Sequence, residues 1–307
     1  MNALVTLATA VALDLVWGEP PARFHPVVWM GKLVAALERR APAGERARLA
    51  YGACLVPVVL ACVALPAWWL ERALGKLGLV GALLLGVCLK PAFAVRELLR
   101  AAERVGASLE AGDLPAAREW LTWLVSRDTR ELDAPLLAAA AIESVAENAS
   151  DSAVAPLLCF GLFGLAGAMA YRAANTMDAM LGYRTERYEQ LGKTAARLDD
   201  ALNVLPSRLT GALVVCAAAV TGGSVSQGWR VMRRDAGLTA SPNAGWPMAA
   251  TAGALGVRLE KVGHYRLHAG GREPAPHDVA RGVALIRTAL ALGLVPIATL
   301  TWRRGGR

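Results

Sequence analysis

The chain has 307 residues, of which 55% are hydrophobic and only 19% charged, with a formal net charge of +8. Soluble domains average about 25% charged residues, so this composition, with a mean hydropathy of +0.38, points to a membrane protein. Basic residues interleaved with aromatics, as a nucleic-acid groove needs, are not evident, and no nucleic acid partner is expected. A surplus of Lys and Arg facing an anionic leaflet of the lipid bilayer accounts for the charge.

Residues 2–17 are apolar apart from Asn2 and Asp14 and read as a short span. The segment lacks a basic leader, so it reads as a retained span and not as a signal peptide. In Gly18–Gly31, GEPPARFHPVVWMG, Pro20, Pro21 and Pro26 argue against a regular helix. Lys32, Arg39, Arg40, Arg46 and Arg48 mark residues 32–48 as a cytoplasmic connection. Residues 49–70 form an uncharged run of 22, against the roughly 20 needed to cross the hydrocarbon layer. Trp68 and Trp69 close it like an interfacial belt. A second strong span, 77–95, is interrupted only by Lys90.

Residues 96–141 are amphipathic and predict two or three soluble helices. Within them LPAAREWLTWLVSRDT reads as a helix pair joined near Ser126–Asp128, with Trp120, Leu121 and Leu124 in the core. Residues 153–170 are apolar but thin for a crossing, and Gly161, Gly164 and Gly167 recur every third residue. The segment either spans or re-enters. Residues 205–222 pose the same question. Further on, Pro242–Gly245 predicts a turn, Met248–Leu259 a helix, and HYRLHAGGREPAPHD a loop. Residues 283–302 form the last span, and Arg303 and Arg304 argue for a cytoplasmic C-terminus.

The expected architecture is all-α: a polytopic integral membrane helical bundle with about 4–6 membrane helices and cytoplasmic helical segments. It forms a single domain over 1–307, with membrane segments near 2–17, 49–70, 77–95, 153–170, 205–222 and 283–302. The cysteines Cys54, Cys62, Cys88, Cys159 and Cys216 lie in apolar stretches without a CxxC and read as small buried hydrophobes.

The chemistry is concentrated between Ile142 and Arg208. If helical, Glu143, Glu147 and Asp151 step by about 40° and share one face. Like charges at that spacing repel, so a solvated helix gains nothing from them, whereas a cation such as Mg²⁺ would draw them together. Tyr171, Asn175, Asp178 and Gly182 fall on a second face. Arg172, Arg184, Arg187, Lys193, Arg197 and Arg208 offer charge for phosphate, with Arg suited to bidentate contact. A basic loop beside the bilayer would account for their sign, but not for Asn175 and Asp178 beside an apolar segment. Asp199 and Asp200 fit metal ligands or a helix N-cap equally. The four histidines match no common zinc spacing, and His25, in its proline-bounded loop, is the best of them for a functional role. P-loop, GxGxxG and GxSxG motifs are absent.

These motifs resemble the adenosylcobinamide-phosphate synthase family of cobalamin biosynthesis, CobD/CbiB. The matching pieces, in order, are DLVWGEPPARFHPVVWMG, ESVAENASDSAVAPL, YRAANTMDAMLGYRTERYEQLGKTAARLDD, NVLPSRLTG and SPNAGWPMAATAGAL. One departure is His268, where the family pattern leads one to expect Gly. The resemblance implies a multi-pass protein of the bacterial cytoplasmic membrane with its active site facing the cytoplasm. It implies an ATP-dependent ligase that joins (R)-1-amino-2-propanol or its O-phosphate to a propionate carboxyl of the corrinoid adenosylcobyric acid. ATP and Mg²⁺ are the implied cofactors, and a complex with other late cobalamin-pathway enzymes is compatible with it. On that reading Glu147, Asp151 and Asp178 hold Mg²⁺, while Glu143, Asn148 and Asn175 orient substrate or accept the amine proton. Arg172, Arg184, Arg187, Lys193 and His25 meet phosphate or substrate. The alternatives are a Mg²⁺–diphosphate-dependent prenyl-type transferase and a non-enzymatic transporter. The single-site reading requires the thin segment 153–170 to return both polar faces to one place.

Overall fold

The computed structural model describes residues 2–183 and 185–305. The helices run, in chain order, α1 Asn2–Trp17, α2 Pro26–Glu38, α3 Glu45–Gly75, α4 Gly78–Leu89, α5 Arg96–Glu110, α6 Leu114–Leu121, α7 Ala134–Ala149, α8 Ala155–Leu181, α9 Lys193–Ala218, α10 Val225–Asp235 and α11 Gly245–Leu255. A short antiparallel hairpin follows, β1 Leu259–Lys261 with β2 Tyr265–Leu267, and then α12 Pro276–Gly305. The protein is all-α, and four helical runs are long and apolar enough to cross a membrane: Glu45–Gly75, Ala134–Leu181, Lys193–Ala218 and Pro276–Gly305. A fifth candidate is α4 with α5, bent by 42°.

Four local expectations change. Pro26 does not prevent a helix but starts one, because at the first turn its missing N–H has no partner to lose. The expected helix pair in 114–129 is one short helix, α6, followed by turns, although Leu121 is fully buried and Trp120 and Leu124 pack against the core as anticipated. α11 stops at Leu255 because Gly256 is left-handed at φ 70°, and part of the expected loop pairs as the hairpin. The cysteines are exposed or half-buried on apolar helix faces, not buried in the core.

The contacts divide the chain into two compact units, where one domain was expected. The first comprises 1–94, 155–202 and 296–307, and the second 95–154 and 203–295. Each is assembled from separated segments, so no composition shift marks a boundary. In the second unit, α5, α7, α10, α11 and the start of α12 enclose a core of small residues, with Ala138–Ala141 and Ala249, Ala250 and Ala252 almost wholly buried. Asp278 sits fully buried at the start of α12. It accepts the Ala275 N–H at 2.8 Å, a bidentate pair from Arg272 at 2.6 and 2.7 Å, and Arg281 at 2.8 Å. A buried carboxylate is tolerated only when so completely paired.

In the first unit, α3 packs on α8, and α1 on α4, where Gly86 admits Thr9. α8 is broken at Gly164, whose φ of 73° and ψ of −161° lie outside helical space. The break frees the Leu165 N–H, which donates to Glu71 Oε2 at 2.8 Å, and Arg304 holds Glu71 Oε1 at 3.2 Å. A Cβ on Gly164 would overlap both of those side chains. The two ends of α3 also separate two basic segments. Tyr51 near one end bonds the Leu37 carbonyl, and Arg48 the Arg187 carbonyl. Glu71 near the other end meets Arg304 of the C-terminal helix. Residues 32–48 thus pack toward the first end of α3 and Arg304 toward its second.

Two stability predictions follow from backbone geometry. Gly164→Ala adds a left-handed penalty of about 1–2 kcal/mol to a steric clash and is expected to lower the thermal midpoint in detergent. Gly75→Ala, whose Cβ meets open space, is expected to leave it unchanged or raise it. His268 is the one non-glycine residue with positive φ, at 50°, among the described residues, which explains why glycine fits the pattern there. Its N–H reaches Asp235 Oδ2 at 2.7 Å, a backbone contact that survives substitution. His268→Gly is expected to hold or raise the melting midpoint, and His268→Val to lower it through a stability loss of about 1–2 kcal/mol.

Candidate active-site clusters

In the second unit, α7 begins at Asp133, whose side chain accepts the Leu136 N–H at 3.0 Å. The helix then runs almost entirely buried to Ala149. Glu143 lies inside it at 4% exposure. Arg127 Nη2 approaches its Oε2 at 3.4 Å, and its Oε1 has no hydrogen-bond partner among the described residues. Ser144 Oγ donates to the Leu124 carbonyl at 2.7 Å, and the Asn148 amide donates to Ser144 O at 2.9 Å and Ser144 Oγ at 3.2 Å. Glu147 is next along the face. Tyr265 faces this pair. Burial first, then the charges of Glu143 and Glu147, push its phenol well above the ordinary tyrosine range. The α geometry ends here: Ser150–Val154 form a π turn, so Asp151 departs from the regular step that the spacing assumed. Ser150 is buried with its hydroxyl unbonded.

In the first unit, α8 carries Tyr171, buried, and Arg172, whose Nη1 reaches Asn175 Oδ1 at 3.4 Å. Asn175 Nδ2 donates to Asp199 Oδ1 at 3.3 Å, so the second face joins α9. Asp199 and Asp200 lie within electrostatic reach of Asp178. Both stand more than a turn inside α9, so the N-cap alternative for them does not apply. Gly182 follows Asp178 because a Cβ there would collide with the Asp178 carboxylate. Arg187 is spent on Glu38 at 2.7 Å, and Lys193 opens α9. Arg184 lies outside the described residues.

A third cluster escaped sequence reading. Lys90 and Asp14, each the lone charge of its apolar segment, pair at 3.0 Å, and Lys90 also holds Glu19 Oε1 at 2.6 Å. His25 closes the set. Its Nε2 meets Glu19 Oε2 at 2.7 Å and its Nδ1 accepts the Val27 N–H at 3.2 Å. His25 thus caps α2 and steadies Glu19, with both nitrogens engaged inside the chain. Glu19 and Lys90 stand on the wall of a mainly apolar cavity of about 890 Å³, with Trp17, Phe24, Trp29 and Val63 around it. The sequence signal was available: two isolated charges of opposite sign in neighbouring spans.

The distant motifs NVLPSR and SPNAGWP also meet, in the second unit. Ser207 Oγ and Arg208 Nη1 both donate to Asn243 Oδ1, at 3.3 and 3.2 Å, and Arg208 stacks over Trp246 at 4.6 Å. Arg208 is therefore engaged in joining α9 to the α11 turn. Among the described residues no three His, Cys, Asp or Glu side chains are arranged to hold a metal ion by themselves.

A sequence profile of the CobD/Cbib protein family matches residues 7–292. The chain is 43% identical to the cobalamin biosynthesis protein CobD of Dehalococcoides mccartyi over 94% of each chain. It is 39% identical to the protein of the same description from Rhodobacter capsulatus, over 97% of this chain and 98% of the relative. Against the probable cobalamin biosynthesis protein CobD of Methanothermobacter thermautotrophicus it is 43% identical over 87% of each. No solved structure matches it.

Lys90→Met is expected to leave two carboxylates facing an apolar environment and to cost about 3–5 kcal/mol. Asp14→Asn combined with Lys90→Met is expected to recover much of the loss. Monodisperse yield and melting midpoint of the two variants check the coupling, and equal losses would refute it.

Proposed function

Because the chain belongs to the CobD/CbiB family of cobalamin biosynthesis proteins, we propose that it forms the amide between a propionate carboxyl of adenosylcobyric acid and 1-amino-2-propanol or its O-phosphate, driven by ATP. The observation that carries this reading is the buried carboxylate of Glu143, held on α7 ahead of a π turn with Arg127 at 3.4 Å from its Oε2. Joining a carboxylate to an amine needs activation, alignment and a proton acceptor, and no covalent enzyme intermediate.

Bound Mg²⁺–ATP supplies the phosphoryl group that activates the carboxyl. Mg²⁺ is commonly held by one or two carboxylates together with water and phosphate oxygens. We assign Glu147 and Asp151 as its oxygen donors, and Asp178 as a further acidic residue that the reaction requires. Asn175, fixed between Arg172 and Asp199, positions a polar substrate group. Asn148, bonded back to Ser144, does the same. Glu143 accepts the amine proton, and Arg172 and Lys193 neutralise phosphate, Arg187 being engaged by Glu38.

The test is purified protein with adenosylcobyric acid, ATP, Mg²⁺ and each amine, followed by mass analysis of the corrinoid. Amide should form only with ATP. Asp178→Ala and Asp151→Ala are each expected to slow it by about a hundredfold or more. Wild-type rates in both would refute the residue assignment, and no amide from the native protein would refute the reaction.

A further inference from the structure

The break in α8 opens a second cavity of about 690 Å³ in the first unit. We propose that it holds the phosphate headgroup of an anionic membrane lipid. This inference is independent of the reaction proposed above.

Its depth is set by α3. The uncharged run 49–70 ends at Trp68, Trp69 and Leu70, and the next two residues, Glu71 and Arg72, line the cavity. Trp68 and Trp69 stand together there, edge to face at 5.1 Å. This is the composition of a headgroup boundary. The cavity therefore lies where a lipid phosphate lies, one turn past the hydrocarbon limit.

Its charge is positive. Glu71, Arg72 and Arg304 are its ionised lining groups, a net charge of +1. Glu71 is already used internally, by the Leu165 N–H and by Arg304. Arg72 has no carboxylate within salt-bridge distance among the described residues. Its guanidinium is laid across Trp68 at 4.1 Å, which restrains the side chain without neutralising it. Arg304 is similarly set over Phe160 at 4.8 Å. Two oriented guanidiniums, of which only Arg304 is paired with a carboxylate, suit a phosphodiester.

Its shape is amphipathic. Gly75 and Gly78 leave the polar end open, while Leu85, Phe163 and Leu165 form the other wall. Phe163 is 68% exposed, an outward apolar surface along which an acyl chain can lie. A free phosphate ion has no use for that wall.

Native mass spectrometry of the detergent-purified full chain, titrated with phosphatidylglycerol, phosphatidylcholine or inorganic phosphate, tests the proposal. Phosphatidylglycerol should bind in preference to phosphatidylcholine and should not be displaced by inorganic phosphate. Arg72→Gln, which removes an exposed side chain and leaves the Glu71–Arg304 pair intact, should weaken phosphatidylglycerol about fivefold. Arg100→Gln, which removes one positive charge from the other unit, should not. Equal binding of the two lipids, an Arg72→Gln protein that matches the native one, or an equal loss in Arg100→Gln overturns the lipid site. Displacement by inorganic phosphate also overturns it, in favour of a free-phosphate site.

Discussion

A lysine ammonium at 5% exposure, between helices with almost nothing else to offer it, is the interaction on which the first unit depends. Lys90 cannot remain charged there without counter-charge. Asp14 supplies one from α1 and Glu19 a second from the following loop. Glu19 in turn is held by His25, and His25 caps α2 through Val27. One desolvated charge thus ties α1, the proline-rich loop, α2 and the end of α4 into a single arrangement. Asp278 does the same in the second unit through Arg272, Arg281 and the Ala275 amide. Both clusters follow one rule: where water is excluded, every charge selects its neighbours.

The same rule governs the backbone. A helix broken in apolar surroundings exposes an amide that must be satisfied. At Gly164 the amide of Leu165 is met by a carboxylate from another helix, and that carboxylate by an arginine from a third. The π turn at Ser150–Val154 is the second departure, and it falls in the stretch richest in acidic and amide side chains. Regular α geometry places side chains only at fixed steps. A π turn re-aims those that follow it, and such turns gather at functional positions. The π turn coincides with a polar motif because a polar side chain in an apolar bundle has to be aimed.

The helical class, the strong spans and the polar motifs were legible in the sequence because they rest on run length and local spacing. Residues 49–70 needed only a count. The face shared by Glu143 and Glu147 needed only the helical period. What escaped was non-local. Nothing near Asp14 announces Lys90, 76 positions away, and nothing near Gly164 announces Glu71. Asp151 is a different case: the 40° step presumes α geometry up to residue 151, and that geometry ends at Ala149. The Gly expected at 268 came from the family pattern; His268 occupies the left-handed region that Gly would occupy at less cost. The two units were invisible because α9 and α12 each contribute to both.

The ends of α3 also bear on orientation. Arg39, Arg40, Arg46 and Arg48 gather at its first end, joined there by Arg187 through Glu38 and by Leu191, whose carbonyl lies against Gly52. Its second end holds Arg72, Lys76, Arg303 and Arg304, with Glu71 offsetting one of them. Lys and Arg in short connections accumulate on the cytoplasmic side, and the first end carries more of them. The expectation of a cytoplasmic C-terminus treats Arg303 and Arg304 as free charges. Arg304 is not free: it is committed to Glu71 and to the break in α8, so its position records packing.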